Sequence, residues 1–206
     1  VLVVIIYAFQ QVFPWLTAAL MLEPAHVLER PWSFVTSMFI HAPSDYMHLL
    51  NNLFFLMLFG TIFERWAGSR TFLAVFIGGG LAANLAGFSF YYDSAVLGMS
   101  GAVSAVVGAL TVIRPRSVGL FWGAPLPMWA VMVGWLATNL AGLGASTGIA
   151  YEAHLYGLIV GAVVGAYLRT TQRSVQRVSE LDEDEDIDEP DPSEIEEWED
   201  RFMGRG

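Results

Sequence analysis

Four side chains have types and spacings suited to acyl-transfer chemistry: His48, Asn52, Ser100 and His154. Ser100 lies in Gly98-Met99-Ser100-Gly101-Ala102. The nucleophile elbow of soluble hydrolases is G-x-S-x-G, and Ala102 breaks that pattern. The plainer reading is a serine on a helix-packing face, because Ser100, Ser104 and Gly108 share one small-residue stripe and Gly101, Ala105 and Ala109 form its neighbour. His154 opens a second stripe with Gly157, Gly161 and Gly165. Packing the two stripes together brings His154 toward Ser100, and a serine nucleophile needs such a base within hydrogen-bond reach. The plainer reading of His154 is an interfacial histidine on a glycine-packed helix. His48 and Asn52, four residues apart, share one helix face. Both can donate hydrogen bonds, and acyl transfer needs donors aimed at a developing oxyanion. The alternative for this pair is interhelical hydrogen bonding that holds a bundle together.

The elements that must position these groups are apolar. Of the 206 residues, 55% are hydrophobic and 15% charged, against roughly 45–50% and 25% in soluble domains. Fourteen of the 20 acids lie from Glu180 onward, so the formal charge of −10 belongs to the tail and the rest is nearly neutral. No dense basic stripe exists to neutralise phosphates, so a nucleic-acid partner is not expected. There is no Cys and no Lys, which excludes thiolate and Lys-based catalysis. No H-E-x-x-H occurs, and His26, His41, His48 and His154 show no metal-ligand spacing, so a metal is not expected.

A membrane-crossing helix needs about 20 mostly apolar residues. Six candidates run from about 1 to 22, 47 to 63, 71 to 91, 100 to 113, 127 to 143 and 153 to 168. The first begins on Val1 without a Met, as in a trimmed chain, and lacks the basic flank of a signal peptide. The fourth is short, so irregular backbone must enter the membrane before Ser100. Such backbone is tolerated only where it is buried in protein or lines a watery cavity. Ser100 then sits at a helix N-terminus, where free N–H groups favour negative charge. With six spans, Arg65, Arg70, Arg114, Arg116, Arg169, Arg173 and Arg177 fall on one side and only Arg30 on the other. The positive-inside rule then places both termini in the cytoplasm of a multi-pass protein of the cell membrane. Residues 23–46 form a long outer loop. The expected organisation is a six-span membrane domain at 1–178 and an acidic, disordered cytoplasmic tail at 179–206.

Taken together and in order, these motifs resemble the rhomboid family of intramembrane serine proteases. The G-x-S-G motif matches Gly98-Met99-Ser100-Gly101, H-x-x-x-N matches His48 and Asn52, and A-H-x-x-G-x-x-x-G matches Ala153-His154, Gly157 and Gly161. E-x-x-x-G-S matches Glu64, Gly68 and Ser69, and the first-loop pattern matches Trp32, Thr36, Phe39 and His41. The resemblance covers about residues 31–169. It implies an all-α, six-helix membrane bundle with a short central fourth helix and a long first extracytoplasmic loop. It further implies a Ser100–His154 dyad without an acid, an oxyanion hole from His48, Asn52 and the Ser100 backbone N–H, transmembrane proteins as substrates, and no cofactor. Two positions depart from the family. Ser33 follows Trp32 where Arg is common, with Arg30 nearby. Ser104 stands where many members carry an aromatic packed on the histidine, so His154 must be oriented some other way. The competing functions are a non-proteolytic relative that binds client helices and, resting on Asn84 and Asn139, a small transporter. The oligomeric state is not legible.

Overall fold

A computed structural model describes residues 1–92, 94–145 and 147–184 and positions 193, 196, 197, 200 and 201, with side chains through 171 and at those five positions. The chain divides into two compact units, Val1–Arg169 and Thr170–Gly206. In the second unit the five isolated positions are helical. The expected disorder of the tail falls mostly outside the described residues.

The first unit is built from helices α1 (Leu2–Val12), α2 (Trp15–Leu20), α3 (Ser33–Thr36), α4 (Tyr46–Phe55), α5 (Thr61–Ala67), α6 (Ser69–Phe90), α7 (Ser100–Ile113) and α8 (Met128–Gly142), and it contains the start of α9 (Tyr151–Asp184). A π-helical turn, Leu56–Gly60, makes α4 and α5 continuous. Among the described residues, three helical stretches are long and apolar enough to cross a membrane: Tyr46–Ala67, Ser69–Phe90 and Tyr151–Thr171. Leu2–Val12, Ser100–Ile113 and Met128–Gly142 are shorter apolar helices. The single first span read from the sequence is broken in two. Pro14 cannot donate to the helical ladder, and α1 ends before it.

Helix α7 is the centre of the core. Twelve of its fourteen residues are buried, and it packs against α6, α8 and α9. Small residues make this possible. A Cβ on Gly157 or Gly161 would overlap the carbonyl oxygen of Gly101 or Ala105, and one on Gly165 would lie 2.7 Å from the Ala109 oxygen. The α7 and α9 backbones therefore touch directly, along the two stripes visible in the sequence. On the other flank, Gly79 meets Ala105 and Gly101 meets Ala83.

An antiparallel hairpin, β1 (Val118–Phe121) and β2 (Ala124–Pro127), lies between α7 and α8 with Val118 opposite Pro127 and Phe121 opposite Ala124. Its Trp122-Gly123 turn has positive φ at both positions, 51° and 80°, the geometry that matches strand twist in two-residue hairpins. No strand was expected from the sequence. Gly119 packs under Met128, Phe59 and Val131, and Phe121 lies on Gly134.

The 23–46 linker is anchored, not free. Trp32 Nε1 donates to the Ala19 carbonyl (3.0 Å), and Thr36 Oγ1 to that of Leu20 (2.8 Å). Arg30 bonds the Ala18 carbonyl and pairs with Glu23. The loop is thus tied to α2 although Ser33 follows Trp32. Asn84 of α6 donates to the Phe34 carbonyl (2.7 Å) and to Ser37 Oγ (2.9 Å). That bonding makes Asn84 a fastener of the loop, which removes half the basis of the transporter reading.

Candidate active site

Ser100 is the first residue of α7, preceded by Gly98 and Met99. Gly98 has φ +105°, a conformation L side chains rarely adopt, and its N–H donates to the Ser37 carbonyl at 2.9 Å. A Cβ there would also meet His48 Nε2 at 2.7 Å. Glycine is required on both counts: it turns the chain into α7 and lets the His48 ring approach. The first N–H groups of α7 have no partner one turn earlier, because the helix starts there.

His154 lies in the first turn of α9. Its Nε2 is 2.7 Å from Ser100 Oγ. Its Nδ1 is 2.9 Å from Asn139 Oδ1 on α8. The geometry follows from the backbone contact of α7 and α9: Gly157, one turn beyond His154, sits on the Gly101 carbonyl, one residue beyond Ser100. Glu152 points elsewhere and is bonded to Tyr91. Burial and the Glu152 carboxylate push the Tyr91 hydroxyl above its ordinary range. This bond fastens the end of α6 to the start of α9.

His48 and Asn52 lie on α4, as their spacing requires. Asp45 caps the helix by accepting the His48 backbone N–H at 3.2 Å. Asn52 Nδ2 donates to the His48 carbonyl at 2.9 Å, using one of its two amide hydrogens. The His48 ring stands edge-on to His41, centroids 5.0 Å apart. His41 is fully buried, and among the described residues neither of its ring nitrogens has a hydrogen-bond partner. Burial first, and the His48 charge second, lower its pKa to about 4. Its backbone is held from both sides by Gln10, whose Nε2 donates to the His41 carbonyl (2.9 Å) while its Oε1 accepts the His41 N–H (3.2 Å).

All four sequence-predicted residues line one cavity of about 820 Å³, together with Asn139 and Trp135. Ser100 and His154 are in direct contact, and His48 approaches through Gly98. Sequence reasoning missed Gln10 and the role of Asn139. Among the described residues no group of three His, Cys, Asp or Glu is placed to hold a metal ion. The constellation has the parts an acyl-transfer site needs: a hydroxyl on a base, and donors near a helix N-terminus.

The chain is thus a mostly helical protein with membrane-length helices and a serine–histidine contact in its first unit. The rhomboid domain family model matches residues 28–171, and the chain belongs to the rhomboid family. It is an integral membrane protein. It is similar to the mitochondrial Rhomboid protein 1 of Saccharomyces cerevisiae, 29% identical over 142 residues. It is also similar to the Rhomboid protease GlpG of Haemophilus influenzae, 28% identical over 134 residues. Each match covers 64% of this chain; it spans 40% of the yeast protein and 67% of the bacterial one.

Proposed function

We propose that this chain is an intramembrane serine endopeptidase that cuts transmembrane-protein substrates. The observation that carries the reading is the 2.7 Å contact between Ser100 Oγ and His154 Nε2. In the reaction, Ser100 Oγ attacks the scissile carbonyl carbon while its proton passes to His154 Nε2. The carbonyl oxygen becomes an oxyanion, which the Ser100 backbone N–H, His48 and Asn52 stabilise. The imidazolium returns the proton to the leaving amine as the C–N bond breaks, leaving an ester on Ser100. Water, deprotonated by His154, then attacks the ester and releases the acid product. The cavity supplies the water. A substrate segment must unwind to enter, which favours helices weakened by Gly or Pro.

In this reading the chain crosses the membrane six times, with both termini in the cytoplasm of the cell membrane and an acidic tail after residue 178. The one-sided Arg distribution supports the orientation. The test is cleavage of a single-span model substrate by wild type, Ser100→Ala and His154→Ala. Each variant is expected to lose at least about 100-fold in rate, as removal of a nucleophile or general base does. Undiminished cleavage by either variant overturns the assignment. Client binding that survives Ser100→Ala, with no fluorophosphonate labelling of wild-type Ser100, supports the non-proteolytic alternative instead.

A further inference from the structure

A histidine base must offer an unprotonated nitrogen to the hydroxyl, and neutral imidazole has two tautomers. The bonding around His154 selects one of them. Asn139 Nδ2 lies 2.7 Å from the Trp135 carbonyl oxygen, one turn earlier on α8. A carbonyl only accepts, so the amide nitrogen faces Trp135 and the amide oxygen faces His154. That oxygen also only accepts, so His154 Nδ1, 2.9 Å away, carries the hydrogen. The neutral ring then has its lone pair on Nε2, the nitrogen in contact with Ser100 Oγ.

We propose that Asn139 is a positioning residue that holds His154 in the Nδ1–H tautomer, extending the pair to a Ser100–His154–Asn139 chain. The inference rests on the proteolytic reading of Ser100 and His154. Its local logic lies on α7 and α8. Ser104, one turn after Ser100, is fully buried and accepts a 3.2 Å bond from Trp135 Nε1. Trp135 thereby occupies the ground above Ser104, and Asn139, on the same face one turn further, reaches the imidazole. Asn139 is itself only 5% exposed. Without His154, this nearly buried oxygen would lose the hydrogen that Nδ1 gives it, a cost for a buried acceptor. A neutral amide also avoids the cost of burying a carboxylate among membrane helices.

The test combines two readouts on the full chain in detergent: the ¹⁵N shifts of labelled histidine, and the rate at which a fluorophosphonate labels Ser100. Wild-type His154 is expected to show a protonated Nδ1 and a bare Nε2. Asn139→Leu keeps the volume and removes the acceptor. It should lose the tautomer preference and label roughly 10- to 100-fold more slowly, within the range of general-base effects. Asn139→Asp keeps an acceptor and should restore both the tautomer and most of the labelling rate. A wild-type His154 protonated on Nε2 overturns the inference outright, whatever the variants do. So does Asn139→Leu labelling at the wild-type rate with its tautomer unchanged. If wild-type Ser100 fails to label while the Nδ1–H tautomer is observed, the proteolytic reading falls and the tautomer assignment stands.

Discussion

Two seams beside the active-site cavity are packed in opposite ways. Between α7 and α9 the contact is backbone on backbone, through Gly157, Gly161 and Gly165, with no side chain between. Between α4 and α8, beside the same cavity, the space is filled by rings. Phe55 stands edge-on to Trp135 with centroids 4.9 Å apart, and Phe59 lies 6.2 Å from the same ring. The first seam has no rotamers to adjust, so it fixes a distance. The second has several, so it can fill gaps. The Ser100–His154 distance is set by the rigid seam, whereas Trp135 and Asn139 come from the adjustable side. The demand for a 2.7 Å contact is met where the packing has the fewest internal degrees of freedom.

Two substitutions test that contrast, and a third lies outside it. The largest effect is expected at Gly161. Gly161→Leu places a side chain where the Ala105 carbonyl lies, and neither backbone can yield. Detergent melting should show a loss of more than about 3 kcal/mol, and Ser100 labelling should vanish with it. A folded, labelled Gly161→Leu protein would break the comparison. Phe55→Ala should cost less, about 1–2 kcal/mol, because neighbouring rings and lipid can move into the space and membrane helices gain no hydrophobic drive from this contact. Labelling of Ser100 should survive it; a loss equal to that of Gly161→Leu would show that the aromatic side is equally rigid.

His41 belongs to neither seam and gives the smallest effect, one that depends on pH. Its folded pKa is about 4, against 6.5 for a free histidine. Between those values the unfolded chain binds a proton that the folded chain does not, so stability falls as the pH drops from about 6.5 to about 4. The slope approaches ~1.4 kcal/mol per pH unit at its steepest. Melting across this range should show the slope in wild type and a flatter line in His41→Leu. Equal slopes would mean that His41 titrates normally.

How much could be read beforehand depended on the range of the interaction. The glycine stripes are local patterns, four residues apart, and helix periodicity alone pairs them. Ser100 was legible because a short apolar run forces irregular backbone just before it. Asn139 was visible only as a polar residue in an apolar helix, because its partner lies 15 residues away across a loop. The one available signal was negative: Ser104 stands where a ring would orient His154, which required some other group without naming it. The hairpin hid for a different reason. Pro125 and Pro127 argue against a strand, and Trp-Gly is a weak turn signal beside Asn-Gly. Packing on α8 overrides both. The break at Pro14 was legible in principle, but the apolar run around it outweighed a single residue.

Helix α7 is enclosed by its neighbours, while the large apolar side chains left exposed sit on other elements, such as Leu2, Met57, Leu73 and Val163. At about 1.5 Å per residue its fourteen residues cover about 21 Å, less than the ~30 Å of a bilayer's hydrocarbon layer. A helix solvated by protein has no need to match that layer. Thinner or thicker lipid therefore presses on the outer helices, through tilt and mismatch. His154 rides on α9, itself one of those outer helices, so the spacing between Ser100 and His154 holds only because the glycine seam moves α9 and α7 together. With that seam, bilayer composition should govern how clients arrive more than how the hydroxyl meets its base.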